Sequence, residues 1–310
     1  MARPRLLIAV AALAFLAAAP PSDWQSPLQR DHPLVGTIWD VAGARALTPE
    51  ALVKQLAARR YVLLGEKHDN VDHHRLQAWV IDALVAAGRR PAVALEMLRA
   101  DQADALARHL AAAPTDAAGL GDAVDWRRSG WPAWPTYAPI AEAALRARLP
   151  IVAANLSQAA TTSLRQGGTA AIDPALVTRL ELDRPAPDDL RQGLARELRA
   201  GHCGHLPEGA IDGFVLVQRA RDAHMAAALR DAGGDGAVLI AGAGHVRRDL
   251  GVPRALPAGE TAALAFVEVD AGTPAPPASA PFDYLWFTPR VDERDPCERF
   301  RRSLERLRQP

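Results

Sequence analysis

Residues 61–97, YVLLGEKHDNVDHHRLQAWVIDALVAAGRRPAVALEM, predict a parallel α/β fold. The runs YVLLGE (61–66) and PAVALEM (91–97) are continuously apolar, which is typical of strands buried on both faces. Between them, HRLQAWVIDALVAAG (74–88) carries apolar residues at helical spacing and ends at a glycine. A strand, a helix and a second strand in this order predict a right-handed crossover between parallel strands.

The same alternation continues along the chain, so the fold class is predicted as α/β, with an open, mostly parallel sheet flanked by helices. Further strands are predicted at 37–41, 150–156, 236–245, 261–269 and 284–290, and further helices at 48–60, 100–110 and 137–149. Residues 157–235 are predominantly helical in pattern, which is too much chain for one crossover and predicts an inserted helical subdomain. The predicted organisation is an α/β domain at 36–156 and 236–270, a helical subdomain at 157–235, a linker at 20–35, and a linker and C-terminal tail at 271–310.

Composition agrees with a folded protein that does not bind nucleic acid. Hydrophobic residues make up 49% of the 310 residues, enough for a sizeable core. The 36 basic and 36 acidic residues give a formal net charge of +0. A nucleic-acid-binding protein usually carries a basic excess, so that class is not indicated.

The N-terminus is typical of an export signal. Arg3 and Arg5 precede the apolar run LLIAVAALAFLAAA, and AAA at 17–19 fits a cleavage site. Because Pro20 follows at once and hinders cleavage, residues 1–19 are either a signal peptide or an uncleaved anchor. No cysteine lies near this segment, so we expect an exported protein of the periplasm or outer membrane that is not a lipoprotein.

The two cysteines of the sequence are expected to form a disulfide. Cys203 and Cys297 lie in loop-like contexts, GHCGHLP and RDPCERF, and cysteines of an exported protein readily pair. The alternative is two unrelated thiols.

Polar residues follow the predicted strands at their carboxyl ends. They are Glu66, His68, Glu96, Asn155 and His245. Because the carboxyl ends of parallel strands share one edge of a sheet, we expect these side chains to converge on one crevice. The two histidines lie in matching settings, GEKH and GAGH, with a glycine three residues earlier that would let the chain turn sharply.

This set of side chains allows two kinds of chemistry. Two histidines with two carboxylates could hold a metal ion, and the same groups could activate water without a metal. Singly, each residue has a structural interpretation, such as Asp72 capping the following helix. His73 is expected to be a solvated residue at the helix start, whereas His74 is expected to face the crevice.

A second cluster is aromatic. Trp126, Trp131, Trp134 and Tyr137 lie within DWRRSGWPAWPTYAPI (125–140). They form either a satellite core under a proline-rich loop or an apolar wall for a flat ligand, with the Tyr137 hydroxyl pointing into the crevice.

Eight motifs in order resemble the ChaN family of haem-binding uptake proteins in the Tiki-like superfamily. They span residues 35–300 and are LLGEKHDNVDHHRLQ, VALEM, DWRRSGWPAWPTYAPI, AANL, GHCGHLP, QRARDAHMAAAL, AGAGHVRRDLGVP and DYLWFTPRVDERDPC. The resemblance implies a bacterial periplasmic or outer-membrane protein of iron uptake, with an outer-membrane haem or iron–siderophore receptor as a partner.

The resemblance also implies a haem site and its residues. Tyr137 would ligate the iron, since a phenolate is a hard anionic ligand that suits ferric haem. His68 and His245 would line the pocket, and Trp126, Trp131 or Trp134 would cover the porphyrin. Two subunits would enclose a stacked pair of haems.

Two other functions stay open at this stage. The wider superfamily includes proteins that look like metal-dependent hydrolases, so Glu66, His68, Glu96 and His245 could bind a divalent ion for peptide or ester hydrolysis. A non-catalytic binding module that keeps an old active site as scaffold is the third interpretation.

Overall fold

Eight strands form one sheet in the part of the chain that the structure, a computed structural model, describes, residues 18–299 and 301. The predicted export segment lies outside the described residues up to residue 17. The strands are β1 (Ile38–Asp40), β2 (Arg45–Leu47), β3 (Tyr61–Glu66), β4 (Ala92–Arg99), β5 (Ile151–Asn155), β6 (Ala237–Gly242), β7 (Thr261–Glu268) and β8 (Tyr284–Thr288).

The sheet is mostly parallel, which confirms the predicted fold class. Its order is β2-β1-β8-β7-β3-β6-β4-β5. The six strands from β8 to β5 are parallel neighbours, whereas β1 runs antiparallel to both β2 and β8. The central strands β3 and β6 are therefore buried on both edges and both faces.

Helices pack on both faces of the sheet, and some pack on other helices rather than on the sheet. They are α1 (Pro49–Ala57), α2 (Val71–Ala86), α3 (Ala103–Ala112), α4 (Ala117–Ala123), α5 (Trp134–Arg146), α6 (Gln158–Gly167), α7 (Pro174–Arg179), α8 (Asp188–Gly201), α9 (Ile211–Asp231), α10 (Ala243–Val246) and α11 (Pro296–Arg299). None of the helices within the described residues is long and apolar enough to cross a membrane.

The core lies on both faces of the sheet because successive strand side chains alternate. Leu64 and Ile240 pack with α2 and α5 on one face, and Leu63 and Leu239 pack with Met225 of α9 on the other. Further along, α9 also packs against α6 and α8. The long helix α9 thus joins the helical region to the sheet.

The strand predicted at 236–245 is shorter in the structure, and the helix that follows it packs closely against Gly65 of β3. Strand β6 ends at Gly242, and the chain enters α10, so His245 belongs to a short helix rather than a strand end. A Cβ at Gly65 would lie 3.0 Å from the Cα of Ala243. The expectation that Gly65 turns the chain is wrong: it stays within β3 and allows α10 to pack closely.

Both ends of the described chain are fastened to the body. The backbone N–H groups of Gln25 and Ser26 donate to the buried carboxylate of Asp72 at 2.7–3.1 Å. A disulfide joins Cys203, which follows α8, to Cys297 in α11, across 94 residues of sequence. The segment predicted as a linker, residues 20–35, therefore lies against α2.

Candidate functional site

Glu66, the last residue of β3, is the centre of a buried hydrogen-bond cluster. The hydroxyl of Tyr137 donates to its Oε1 at 2.6 Å, and Nδ1 of His68 lies 2.9 Å from the same oxygen. Nε2 of His74 lies 3.4 Å from Oε2. The side chain of Glu66 is 0% exposed, so its charge depends on these partners rather than on water.

Local structure brings these partners together from three segments. Asn70 caps α2 by accepting from the backbone N–H groups of Asp72 and His73, which sets the first turn of the helix beside the end of β3. Helix α5 carries Tyr137, whose ring lies 3.9 Å from that of His74. The prediction of Asp72 as the cap is wrong, because its carboxylate accepts from the N-terminal segment instead.

Glu66 remains ionised, and it fixes the orientation of His68. Burial opposes its charge, but the charge of His74 and the hydrogen bond from His68 hold the pKa of Glu66 well below its usual range. Burial also disfavours a charged His68, yet the hydrogen bond to Glu66 and the charge of Glu96 raise the pKa of His68.

The carboxylate determines which nitrogen of neutral His68 is free. Because Glu66 can only accept, Nδ1 of His68 carries the proton and Nε2 keeps its lone pair. Among the described residues, no hydrogen-bond partner is found for Nε2, although the side chain is 34% exposed. Neutral His68 is therefore held in one orientation and has an unused lone pair on Nε2.

Tyr137 does not point its hydroxyl into an open crevice. The residue is 2% exposed, and its hydroxyl lies within hydrogen-bond distance of both Glu66 and the carbonyl oxygen of His68. Burial and the charge of Glu66 raise the pKa of Tyr137 strongly. In this arrangement a phenolate at Tyr137 is disfavoured.

The other two tyrosines of the chain are also buried. Tyr61 is 5% exposed and Tyr284 is 7% exposed. Tyr61 packs in the core beneath the sheet, and Tyr284 pairs with β1 and β7. All three tyrosines are therefore at most 7% exposed.

Glu96 is the centre of a second cluster on the neighbouring strands. Arg221 of α9 donates to its Oε1 at 2.5 Å, and the backbone N–H of Gly242 donates to its Oε2 at 2.7 Å. His245 places Nε2 3.4 Å from Oε1 and Nδ1 2.6 Å from Asp222. Burial opposes the charge, but His245 and Arg221 lower the pKa of Glu96.

Asn155 completes the second cluster as a positioning residue. Its amide donates to the backbone carbonyl of Glu96 at 3.0 Å, and its oxygen accepts from Arg221 at 3.1 Å. The pairing of β4 and β5 shifts register between Leu95 and Arg99, so Glu96 leaves the regular ladder at that point. This irregularity directs the carboxylate toward Gly242.

The two clusters meet above Gly242, which lies opposite Glu66 in the β3–β6 pairing. A Cβ at Gly242 would lie 2.8 Å from Nε2 of His68 and 3.7 Å from Oε2 of Glu96. The five polar residues expected at strand ends therefore do lie at one edge of the sheet. They are divided between a Glu66 cluster and a Glu96 cluster.

The four residues proposed as metal ligands are turned toward other partners. Glu66 accepts from Tyr137 and His68, whereas Glu96 accepts from a guanidinium and a backbone N–H. Within residues 18–299 and 301, no group of three or more histidine, cysteine, aspartate or glutamate side chains is arranged to hold a metal ion.

His68 also borders a cavity of about 690 Å³ at the same edge of the sheet. This size lies within the range of small-molecule sites. Trp131 and Pro132 form its apolar side, and the rings of Trp131 and His68 lie 4.6 Å apart. The cations at the cavity are Lys67, Arg290 and Arg294.

Of the other two tryptophans in the aromatic motif, Trp126 is buried and Trp134 is partly buried, and neither lines this cavity. Trp126 is 2% exposed and lies 4.7 Å from Trp134 and 5.1 Å from Tyr137, measured between ring centroids. Their indole N–H groups donate to the backbone carbonyls of Pro132 and Ala117. Trp126 and Trp134 of the aromatic motif thus pack with the main core rather than with a satellite core, and Trp131 lines the cavity.

The prediction for His73 is wrong, because the residue is fully buried. Its Nδ1 accepts from the backbone N–H of Lys67 at 3.0 Å, and its Nε2 lies 2.9 Å from the hydroxyl of Thr288. Burial, followed by the charge of His74, lowers the pKa of His73 to about 3. It fastens the GEKH segment to β8.

Sequence reasoning gave no role to Arg221 and Asp222. Both lie in the middle of α9, where Asp222 is 8% exposed and pairs with His245. An arginine–aspartate pair in the middle of a long helix was the available signal. What the sequence could not give was the partner, because α9 reaches the sheet edge only in the fold.

The fold and the chain's sequence match one family. A family model described as haem-binding uptake, Tiki superfamily, ChaN, matches residues 52–256. The chain belongs to the ChaN family. No curated protein sequence matches the chain.

The chain is also similar to solved structures. A structure described as cofacial haem binding to ChaN of Campylobacter jejuni matches with a TM-score of 0.63 and 22% identity, over 80% of this chain and 95% of that chain. The type III effector HopBA1 matches with a TM-score of 0.45 and 16% identity, over 78% and 93% of the two chains. An erythromycin esterase mutant, EreC, in its open conformation matches with a TM-score of 0.43 and 16% identity, over 81% of each chain.

Proposed function

We propose that this member of the haem-binding uptake family binds haem in the cavity lined by His68 and Trp131, in the service of bacterial iron uptake. The observation that carries the proposal is the free, preoriented Nε2 of His68 beside a cavity of about 690 Å³. Family membership supplies the ligand class, and the cavity supplies a location at the carboxyl edge of the parallel sheet.

The residues around this cavity fit a haem group in three respects. An imidazole nitrogen is a common axial ligand of haem iron. The indole of Trp131 offers an apolar surface for a flat macrocycle. Lys67, Arg290 and Arg294 can meet carboxylate substituents, and they now pair with Glu268, Asp270 and Asp292.

We propose His68, rather than Tyr137, as the iron ligand. Ligation by Tyr137 requires that its phenol lose a proton beside the ionised Glu66, in a site that raises its pKa. Neutral His68 offers Nε2 for ligation, because Glu66 holds the proton on its Nδ1. A carboxylate behind a ligating histidine also makes the histidine more basic, as in many metalloproteins. Tyr137 then acts by holding Glu66.

A pair of haems enclosed by two subunits is the proposed assembly. His68 would occupy one side of a haem and leave the other side open to a second copy. The ChaN structure from Campylobacter jejuni is described with haems bound cofacially, which supports this arrangement for the present chain. Sedimentation with and without ferric haem tests it: haem-dependent dimerisation supports the pair, and a monomer at saturating haem excludes it.

The cellular setting is part of the proposal. An exported protein of the periplasm or outer membrane, receiving haem at an outer-membrane haem or iron–siderophore receptor, accounts for the N-terminal sequence and the family. Cell fractionation with antibody detection tests the location, and recovery in the cytoplasm with an intact N-terminal segment would exclude it.

Haem binding itself is tested by titrating ferric haem into the full chain and following the Soret band and tryptophan fluorescence. We expect saturable binding that Trp131→Ala weakens and Trp24→Ala leaves unchanged, because Trp24 lies outside the cavity. A linear, non-saturating absorbance change would contradict the proposal. Bound Zn²⁺ or Mn²⁺ by elemental analysis, with ester or peptide hydrolysis, would favour the hydrolase alternative.

A further inference from the structure

A second cleft, separate from the haem cavity, lies in the helical region. It is bounded by the segment 180–190, by α9 and by the segment 250–255, and its volume is about 350 Å³. None of the residues that line it also lines the cavity beside His68. This cleft is about half the volume of the cavity beside His68, so we expect a ligand smaller than haem.

The charges around this cleft do not balance. Arg184 pairs with Glu181 at 2.9 Å, and Arg254 pairs with Asp189 at 3.1 Å. Arg219 has no carboxylate partner within the described residues, and its guanidinium donates to the backbone carbonyl of Arg184 at 3.0 Å.

Both carboxylates that line the cleft, Glu181 and Asp222, already have partners. Asp222, three residues after Arg219, lies 2.6 Å from Nδ1 of His245. Burial lowers the pKa of Arg219, which shows that its desolvation is not offset by a neighbouring anion. A guanidinium has five N–H donors in a planar fork, and most of these remain available.

The remaining walls of the cleft are apolar. Leu180, Leu182, Leu190 and Leu250 surround the space, with Pro185 beside them. A planar cation at one side and aliphatic walls elsewhere are complementary to a ligand with one carboxylate and a short hydrocarbon chain. A phosphate alone would leave the leucine walls unused, and a cationic amphiphile would face Arg219.

We propose that this cleft binds a medium-chain carboxylate, with Arg219 as the residue that holds the anionic head. The cleft shares no lining residue with the cavity beside His68, so it is a second ligand site rather than part of the first.

Isothermal titration of the full chain with octanoate tests the proposal, with octylamine as a probe of equal chain length and opposite charge. We expect octanoate to bind, octylamine not to bind, and Arg219→Gln to weaken octanoate at least tenfold. Arg179→Gln is the matched control, because Arg179 pairs with Asp231 outside the cleft. The Arg179→Gln variant should bind octanoate with the same affinity as the unmodified protein.

Two results would overturn the site: no octanoate binding, or equal affinity in Arg219→Gln. Thermal unfolding of each variant shows whether it is folded, and stabilisation of the unmodified protein by octanoate over octylamine gives a second measurement that needs no variant. Repeating the titration after haem saturation separates the sites, since octanoate affinity should not change. Displacement of octanoate by haem would contradict a separate site.

Discussion

Nε2 of His68 lies 2.8 Å from the point that a Cβ on Gly242 would occupy. The His68 ring therefore lies over the end of β6, where Gly242 pairs with Glu66 of β3. It also explains the glycine at this position without any unusual backbone angle. Space for the His68 ring is made by the absence of a side chain on the neighbouring strand.

Gly242→Ala should therefore displace His68 and weaken haem binding. A Cβ 2.8 Å from a ring nitrogen is too close, so the imidazole must rotate away from Glu66 or the strand must shift. We expect at least a tenfold loss of haem affinity in a Soret titration. Gly244→Ala is the control, since a Cβ there meets nothing within 4 Å. Equal losses in both variants would show that the effect is not local to His68.

Tyr137→Phe should lower stability and leave the ligation of haem unchanged. The substitution removes the hydroxyl that donates to Glu66 at 2.6 Å, which costs about 1–3 kcal/mol when the acceptor is buried. Denaturant unfolding measures the loss, and Tyr61→Phe is the control because no hydrogen bond of its hydroxyl is found among the described residues. Loss of a phenolate-to-iron charge-transfer band in Tyr137→Phe would instead restore Tyr137 as the ligand.

Most of the fold could be predicted from the sequence because its strands are continuous apolar runs. YVLLGE and AVLIAG are buried on both faces, and the helices between them have clear apolar spacing. Strand β2, with only three residues, gave no comparable pattern. The end of β6 was misplaced because AGAGH continues the small, apolar composition of the strand.

The convergence of polar residues could also be predicted, since parallel strands place their carboxyl ends together. The hydrogen-bond partner of each polar side chain could not be predicted. Arg221 reaches Glu96 across 125 residues of sequence, and Thr288 reaches His73 across 215. These contacts depend on how α9 and β8 pack, which no local pattern encodes. His73 was misassigned because a histidine in a polar run gives no sign of burial.

Acid should destabilise the protein through His73. The folded-state pKa of about 3 is below the ordinary value of 6.5, so the unfolded chain binds a proton that the folded protein excludes. Stability that is present above pH 6.5 is lost progressively as pH falls toward 3, by roughly 3 kcal/mol at pH 4.

Urea unfolding between pH 7 and pH 4 measures this dependence. His73→Gln should show a shallower loss of unfolding free energy over that range than the unmodified protein. His109→Gln serves as a comparison, because His109 contacts a backbone carbonyl near the surface of α3. If His73→Gln and the unmodified protein lose stability in parallel, His73 is not the group responsible.

The disulfide should contribute to stability by restricting the unfolded chain. Cys203 and Cys297 close a loop of 94 residues, and removing such a cross-link typically costs about 2–4 kcal/mol. We expect that loss in the Cys203→Ser, Cys297→Ser double variant by denaturant unfolding. Adding a reductant should destabilise the unmodified protein and leave the double variant unchanged; the reverse pattern would argue against the bridge.

The central claim, ligation of haem iron by His68, is tested most directly by titrating ferric haem into the unmodified protein and into His68→Ala. The account predicts a histidine-ligated Soret spectrum that is lost in His68→Ala, with at least a tenfold weaker affinity, and retained in the control His109→Ala. An unchanged spectrum and affinity in His68→Ala would contradict it.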